Sequence, residues 1–170
     1  MSNVSQFIGS GWIPLETIEV TSPVADVNFN SNIDDTFNNY VVTGTHTVSN
    51  NTFIYFRLKT GGQQILAGYR RLATYPGPTA SSDNNPSTEA FISQYSGSFT
   101  AYLMNLRSSD QFKSIVSQGT GYDSGGTTMY VRNFTSALLD TSIIDGIRII
   151  LNIGATINTG KFTLYGIQEL

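Results

Sequence analysis

Run after run of this sequence places apolar residues at every second position. Ala25, Val27 and Phe29 alternate with Asp26, Asn28 and Asn30. Ile54, Phe56 and Leu58 alternate with Phe53, Tyr55 and Arg57, and Ile147, Ile149 and Leu151 with Arg148, Ile150 and Asn152. Phe99, Ala101 and Leu103 share one face of the Gly97–Leu106 run. A period of two sends successive side chains to opposite faces of a strand, so each run specifies a strand with one face toward a core. Composition agrees: 19 Ser, 20 Thr, 14 Asn and 16 Gly favour strands and turns, while the strong helix formers are scarce. At 170 residues the chain is long enough for one core. The expected fold is all-β: a single-domain, jelly-roll-like antiparallel β-sandwich over 12–170, with nine or ten strands, behind a flexible arm at 1–11 carrying Gly9, Ser10 and Gly11.

Local signals set the expected punctuation. Asn50-Asn51 reads as the turn of a hairpin joining Tyr40–Val48 to Thr52–Thr60. Gln64–Thr74 reads as one strand, and Tyr75–Ser87, with Pro76, Pro78 and Pro86, as the longest loop. Glu89–Tyr95 and Phe112–Gln118 are further strands. Gly119–Gly126 holds four glycines and reads as a loop before a strand at Thr127–Phe134. Ala137–Ile144 carries the one hint of a helical turn, and a loop at Gly154–Gly160 precedes a last strand at Phe162–Ile167.

Charge and cysteine content narrow the chemistry. Nine Lys and Arg against 12 Asp and Glu give a net charge of −3 with no basic run, which argues against nucleic-acid binding. Without Cys there is no disulfide framework, thiolate nucleophile or Cys-ligated zinc, a composition that fits synthesis in a reducing cytoplasm. No apolar run approaches the length of a membrane-spanning helix. Met1–Ser10 lacks the basic start and apolar stretch of a signal peptide, so the mature chain is expected to begin near Met1. Low charge also suits a subunit packed against neighbours, because charged residues are depleted in interface cores.

Two stretches carry a family resemblance. At the carboxyl end stand Ile144-Asp145-Gly146-Ile147-Arg148-Ile149, then Gly154, Ile157 and Gly160-Lys161-Phe162-Thr163-Leu164-Tyr165-Gly166-Ile167. In the amino half stand Trp12, Phe29, Asp34-Asp35-Thr36-Phe37-Asn38-Asn39-Tyr40-Val41-Val42, Leu58 and Gly61-Gly62. In this order they resemble bacteriophage virion jelly-roll proteins, a group that includes tail-fibre modules and small capsid-decoration proteins; between Gln64 and Gln118 only strands match. The resemblance implies a virion component, made in the host bacterial cytoplasm. The residues also have a structural reading: Asp34 and Asp35 as turn acceptors, Tyr40 as a buried ring with a bonded hydroxyl, and Gly166 as a point of close approach or a bulge.

Catalytic candidates are few. His46, the sole histidine, lies in a Thr-Val strand with no G-x-S-x-G motif nearby, and reads as a strand residue. Asp34, Asp35, Asp123, Asp140 and Asp145 are the carboxylates a glycosidase pair would draw on, yet most sit beside Gly, Asn, Ser or Thr, as turn-forming Asp does. Asp34-Asp35 lacks the D-x-D-x-D-G spacing of a calcium loop, and no cofactor or metal is expected. Binding surfaces are the stronger candidates. Tyr69, Tyr75, Tyr95 and Tyr122 flank or occupy expected loops and suit stacking on sugars. Adjacent Arg70 and Arg71 point to opposite faces if they lie in a strand, so one is directed inward or at a neighbouring subunit, where it can meet a partner carboxylate; a solvated pair is the leading alternative.

The leading expectation is a non-enzymatic virion structural protein, a capsid decoration or cement protein that self-associates, with a trimer as the expected oligomer, and binds the capsid. The alternative is a tail-fibre or tail-associated adhesin recognising host-surface carbohydrate. A depolymerase is third.

Overall fold

The computed structural model describes residues 11–74, 86–122, 126–152 and 154–168. The expected arm at 1–10, most of the Pro-rich loop with Tyr75, and Asp123 lie outside the described residues. The strands run in chain order as β1 (Trp12–Val20), β2 (Asp26–Phe29), β3 (Tyr40–Val48), β4 (Phe53–Thr60), β5 (Gln63–Gln64), β6 (Tyr69–Thr74), β7 (Pro86–Ser87), β8 (Ala90–Gln94), β9 (Ser96–Met104), β10 (Lys113–Tyr122), β11 (Met129–Leu138), β12 (Gly146–Leu151) and β13 (Ile157–Ile167). They form an all-β, jelly-roll-like sandwich of two antiparallel sheets. The larger has eight strands in the order β1-β13-β3-β9-β10-β11-β6-β7. The smaller is β2-β12-β4, with β5 and β8 sharing the far side of β4.

The alternation seen in the sequence builds the core. Phe29, Phe56, Leu58, Ile147 and Ile149 from the small sheet meet Tyr40, Val42, Ala101, Leu103, Ile115, Phe162 and Leu164 from the large one, all fully buried. Each such side chain contributes about 1.5–3 kcal/mol through removal from water. Tyr40 buries its ring while its hydroxyl donates to the Asp34 carbonyl at 2.9 Å and accepts the Asp34 N–H at 3.1 Å, as the sequence predicts. Burial pushes its pKa up to about 12.

Five local expectations are corrected. Asn50-Asn51 is not a hairpin turn: β3 pairs with β13 and β9 in the large sheet, whereas β4 pairs with β12 in the small one, so the chain crosses between sheets there. Both strands are apolar enough to need central neighbours, and long-range pairing supplies them. Gln64–Thr74 is two strands, β5 and β6, separated by Ile65–Gly68. Ala137–Ile144 is not helical: Ala137 and Leu138 end β11 and the rest is irregular. The last strand starts at Ile157, inside the expected loop.

Gly119 and Gly121 are strand residues of β10, not loop. Their inward-facing positions explain this. One cross-strand row inside the large sheet reads Phe162, Gly44, Phe99, Gly119, and the next reads Gly160, His46, Gly97, Gly121. Rings alternate with glycines across β13, β3 and β9, and β10 presents glycine in both rows. A Cβ on Gly44 would stand 2.4 Å from Phe99 Cε1 and 2.9 Å from Phe162 Cδ1, and one on Gly97 would stand 1.9 Å from the Thr120 carbonyl oxygen. The glycines therefore give the rings room to lie flat.

Candidate functional site

The residues that carry the family resemblance are packing partners of one another. Phe37 lies against Gly166, where a Cβ would come within 2.5 Å of its ring. Phe29 and Leu58 flank Ile147 on either side of β12, and Gly62 N–H donates to Asp145 Oδ2 at 3.1 Å. Asp35 pairs with Arg107, whose Nη1 also donates to the Ile144 carbonyl. These contacts make the shared motif a record of the fold, and a ligand site must be sought elsewhere.

The catalytic candidates are engaged in structure. His46 is buried between Phe99 and Phe162, its Nε2 donating to the Tyr95 carbonyl at 2.7 Å, and desolvation pushes its pKa down to about 4. Asp34 accepts the Thr36 N–H at 2.9 Å, which holds its carboxyl below the usual range. Asp140 accepts the Ser142 N–H at 2.7 Å with the same consequence. Among the described residues no three His, Asp or Glu side chains converge as a metal site would need.

The expected binding residues are dispersed. Tyr69 is fully buried, and its hydroxyl accepts the Leu58 N–H at 2.8 Å inside the core, so its ring is a core ring rather than a contact. Tyr69 is the first residue of β6, after the irregular Ile65–Gly68, and its ring enters the core there. Arg70 and Arg71 lie within β6, in register with Ala137 and Ser136 of β11. Tyr95 is half-buried at φ 62°, the single residue over which the chain passes from β8 in the small sheet to β9 in the large one, and it packs edge-on against Tyr130 at 4.8 Å. Tyr122 is exposed at the end of β10, opposite Ser96 and Met129.

What the structure brings together instead is the outer face of the large sheet. One cross-strand row reads Thr17, Thr163, Thr43, Thr100, Gln118, Asn133. The next reads Glu19, Lys161, Thr45, Ser98, Thr120, Val131. Between them lies a trough of about 650 Å³ crossing β13, β3, β9, β10 and β11, with Tyr165 on its rim. Hydroxyls, one amide and backbone share its lining with Val131, Phe99 and Tyr165, and among the described residues its only charge is Lys161, paired with Glu19 at 3.1 Å. Thr17 bonds Thr163 and Ser98 bonds Thr120, each at 3.0 Å, while the side chains of Thr43, Thr45, Thr100 and Gln118 make no hydrogen bond among the described residues.

Beside the trough the same face turns apolar. Tyr165, Val41, Tyr102 and Val116 form the adjoining row, and Trp12 packs on both tyrosines with ring centroids 5.6 and 5.7 Å away. The outward-pointing Val41 is consequently fully buried. Phe112, just before β10, and Leu139, just after β11, are exposed as well. The Thr-x-Thr-x-Thr of Thr43, Thr45 and Thr47 was the visible signal of this face; its cross-strand partners come from distant segments.

No protein-family model matches the sequence, and no curated protein matches it. Among solved structures the chain is similar to galectin LEC-6 of Caenorhabditis elegans, at 13% identity over 85% of this chain and 94% of that one, with a TM-score of 0.35. A likeness this loose carries no argument about residues or ligands.

Proposed function

We propose that this chain is a non-enzymatic bacteriophage virion structural protein, a capsid decoration or cement subunit that self-associates and docks on the capsid. The observation that carries the reading is the apolar patch on an otherwise charge-poor sheet face, where Trp12, Tyr102 and Val116 are exposed, with Phe112 and Leu139 exposed at the ends of β10 and β11. Aromatic enrichment with charge depletion is the composition of a protein interface core. The virion assignment is supported by the resemblance of both ends of the chain to phage jelly-roll proteins. Many identical sites on a shell would multiply modest contacts into firm attachment.

A second reading, a tail-associated adhesin for host-surface carbohydrate, is favoured by the hydroxyl-lined trough next to that patch. Antibody labelling of intact and tail-stripped phage particles separates the two. Dense label over the head is the result expected of a decoration subunit. Label confined to the tail favours the adhesin, and no label on particles contradicts both.

A further inference from the structure

From the trough we infer a specific ligand geometry: a linear, uncharged polysaccharide lying across the strands, one sugar ring to each strand. This deepens the adhesin reading and rests on it. Adjacent strands are spaced about 4.8 Å apart, which is close to the advance of one ring along an extended hexose chain. Thr43, Thr100 and Gln118 therefore present one uncommitted hydrogen-bonding side chain per ring, and Thr163, bonded to Thr17, ends the row on β13. Thr45 and Ser98 repeat the pattern from the neighbouring row, so a chain between the rows meets donors and acceptors on both sides.

Three observations select this occupant. The four side chains Thr43, Thr45, Thr100 and Gln118 have no hydrogen-bond partner among the described residues, so a ligand displaces only water from them. The lining offers no unpaired charge, since Lys161 is held by Glu19, and an ionic polymer would find nothing to neutralise it. Tyr165 on the rim supplies a ring face for stacking on a sugar. The hydrogen-bonding row lies on four of the lining strands, β13, β3, β9 and β10, one for each of about four rings, and β11 closes the trough with Val131.

The test is calorimetric titration of the full chain with β-1,4-linked glucose and β-1,4-linked N-acetylglucosamine oligomers of one to six rings, and with oligogalacturonate as the charged comparator. Affinity for at least one neutral series should rise with length to about four rings and then level off. Thr100→Val with Gln118→Ala, whose fold is checked by circular dichroism, should lower that affinity about tenfold or more, a factor equivalent to one ordinary hydrogen bond. Ile143→Ala, exposed and outside the trough, should leave it unchanged. Full affinity for one or two rings, preference for oligogalacturonate, or binding untouched by the double variant would overturn the inference while leaving the adhesin reading standing. No binding by any neutral oligomer, together with a blank array of linear neutral bacterial polysaccharides, would overturn both.

Discussion

The two outer faces of the sandwich solve the problem of a solvent-facing sheet in opposite ways. On the small sheet, charged groups pair across strands: Arg57 donates to Glu89 at 3.0 Å, and Arg148 Nε to Asp26 at 3.1 Å and Nη1 to Gln64 at 2.8 Å. Lys59 Nζ reaches Asn28 at 2.8 Å and Asn30 at 2.6 Å. On the large sheet one ion pair, Lys161 with Glu19, stands at the side of a field of hydroxyls and rings. The lesson is about satisfaction. The small-sheet face has spent its polar groups on one another, while the large-sheet face leaves several uncommitted and sets exposed aromatic surface beside them. A surface of the second kind is the one that gains from a partner.

That contrast can be broken from beneath. Gly44→Val forces a side chain into the space of Phe99 and Phe162 directly under the trough, and should cost about 3 kcal/mol, the upper end for overpacking. Urea denaturation measures it, and a cost below about 1 kcal/mol would mean the glycine–ring layer is not tightly packed.

Acid offers a second probe of the same layer. His46 has its pKa depressed to about 4 against 6.5 in the unfolded chain, so the unfolded state binds more protons as pH falls between these values. Its contribution is complete above pH 6.5 and declines toward pH 4, by about 3 kcal/mol at most. Stability measured across this window should slope down toward acid, and His46→Phe should flatten the slope. An equal slope in the variant would assign it to other groups.

Smaller effects sharpen the comparison between faces. Arg148→Met keeps the side-chain stem and removes the ion pair with Asp26; it should cost about 1 kcal/mol, diminishing in high salt. Thr100→Val removes an uncommitted hydroxyl on the other face, and stability should change by less than about 0.5 kcal/mol. If Thr100→Val proves as costly as Arg148→Met in the free chain, its hydroxyl is not spare and the contrast fails.

Much of the fold was legible because alternation is local: the apolar members of β2, β4, β9 and β12 point inward where the sequence put them. The Asp34 turn and the buried Tyr40 hydroxyl were legible too, since both depend on neighbours a few residues away. Strand partners were not. Asn50-Asn51 carries good turn chemistry, yet whether it folds a hairpin or hands the chain to the other sheet depends on β13, β9 and β12. Glycine misled for a related reason. Gly119 faces inward against Ser93 of β8, where a Cβ would stand 3.0 Å from the hydroxyl, and Gly121 pairs with Gly97 of β9; local reading registers only their freedom to turn. The candidate site was hidden most completely: its rows draw on six strands, each of which supplies one residue to a row, and only the run of three threonines on β3 stands out in the chain.

The central claim, that the large-sheet outer face is the binding face, is tested most directly by hydroxyl-radical footprinting of the chain in intact particles against the free chain. The account predicts protection at Trp12, Tyr102 and Phe112, with Phe53 and Phe91 of the small sheet labelled equally in both states. Unchanged labelling at the first three residues, or protection confined to Phe53 and Phe91, would contradict it.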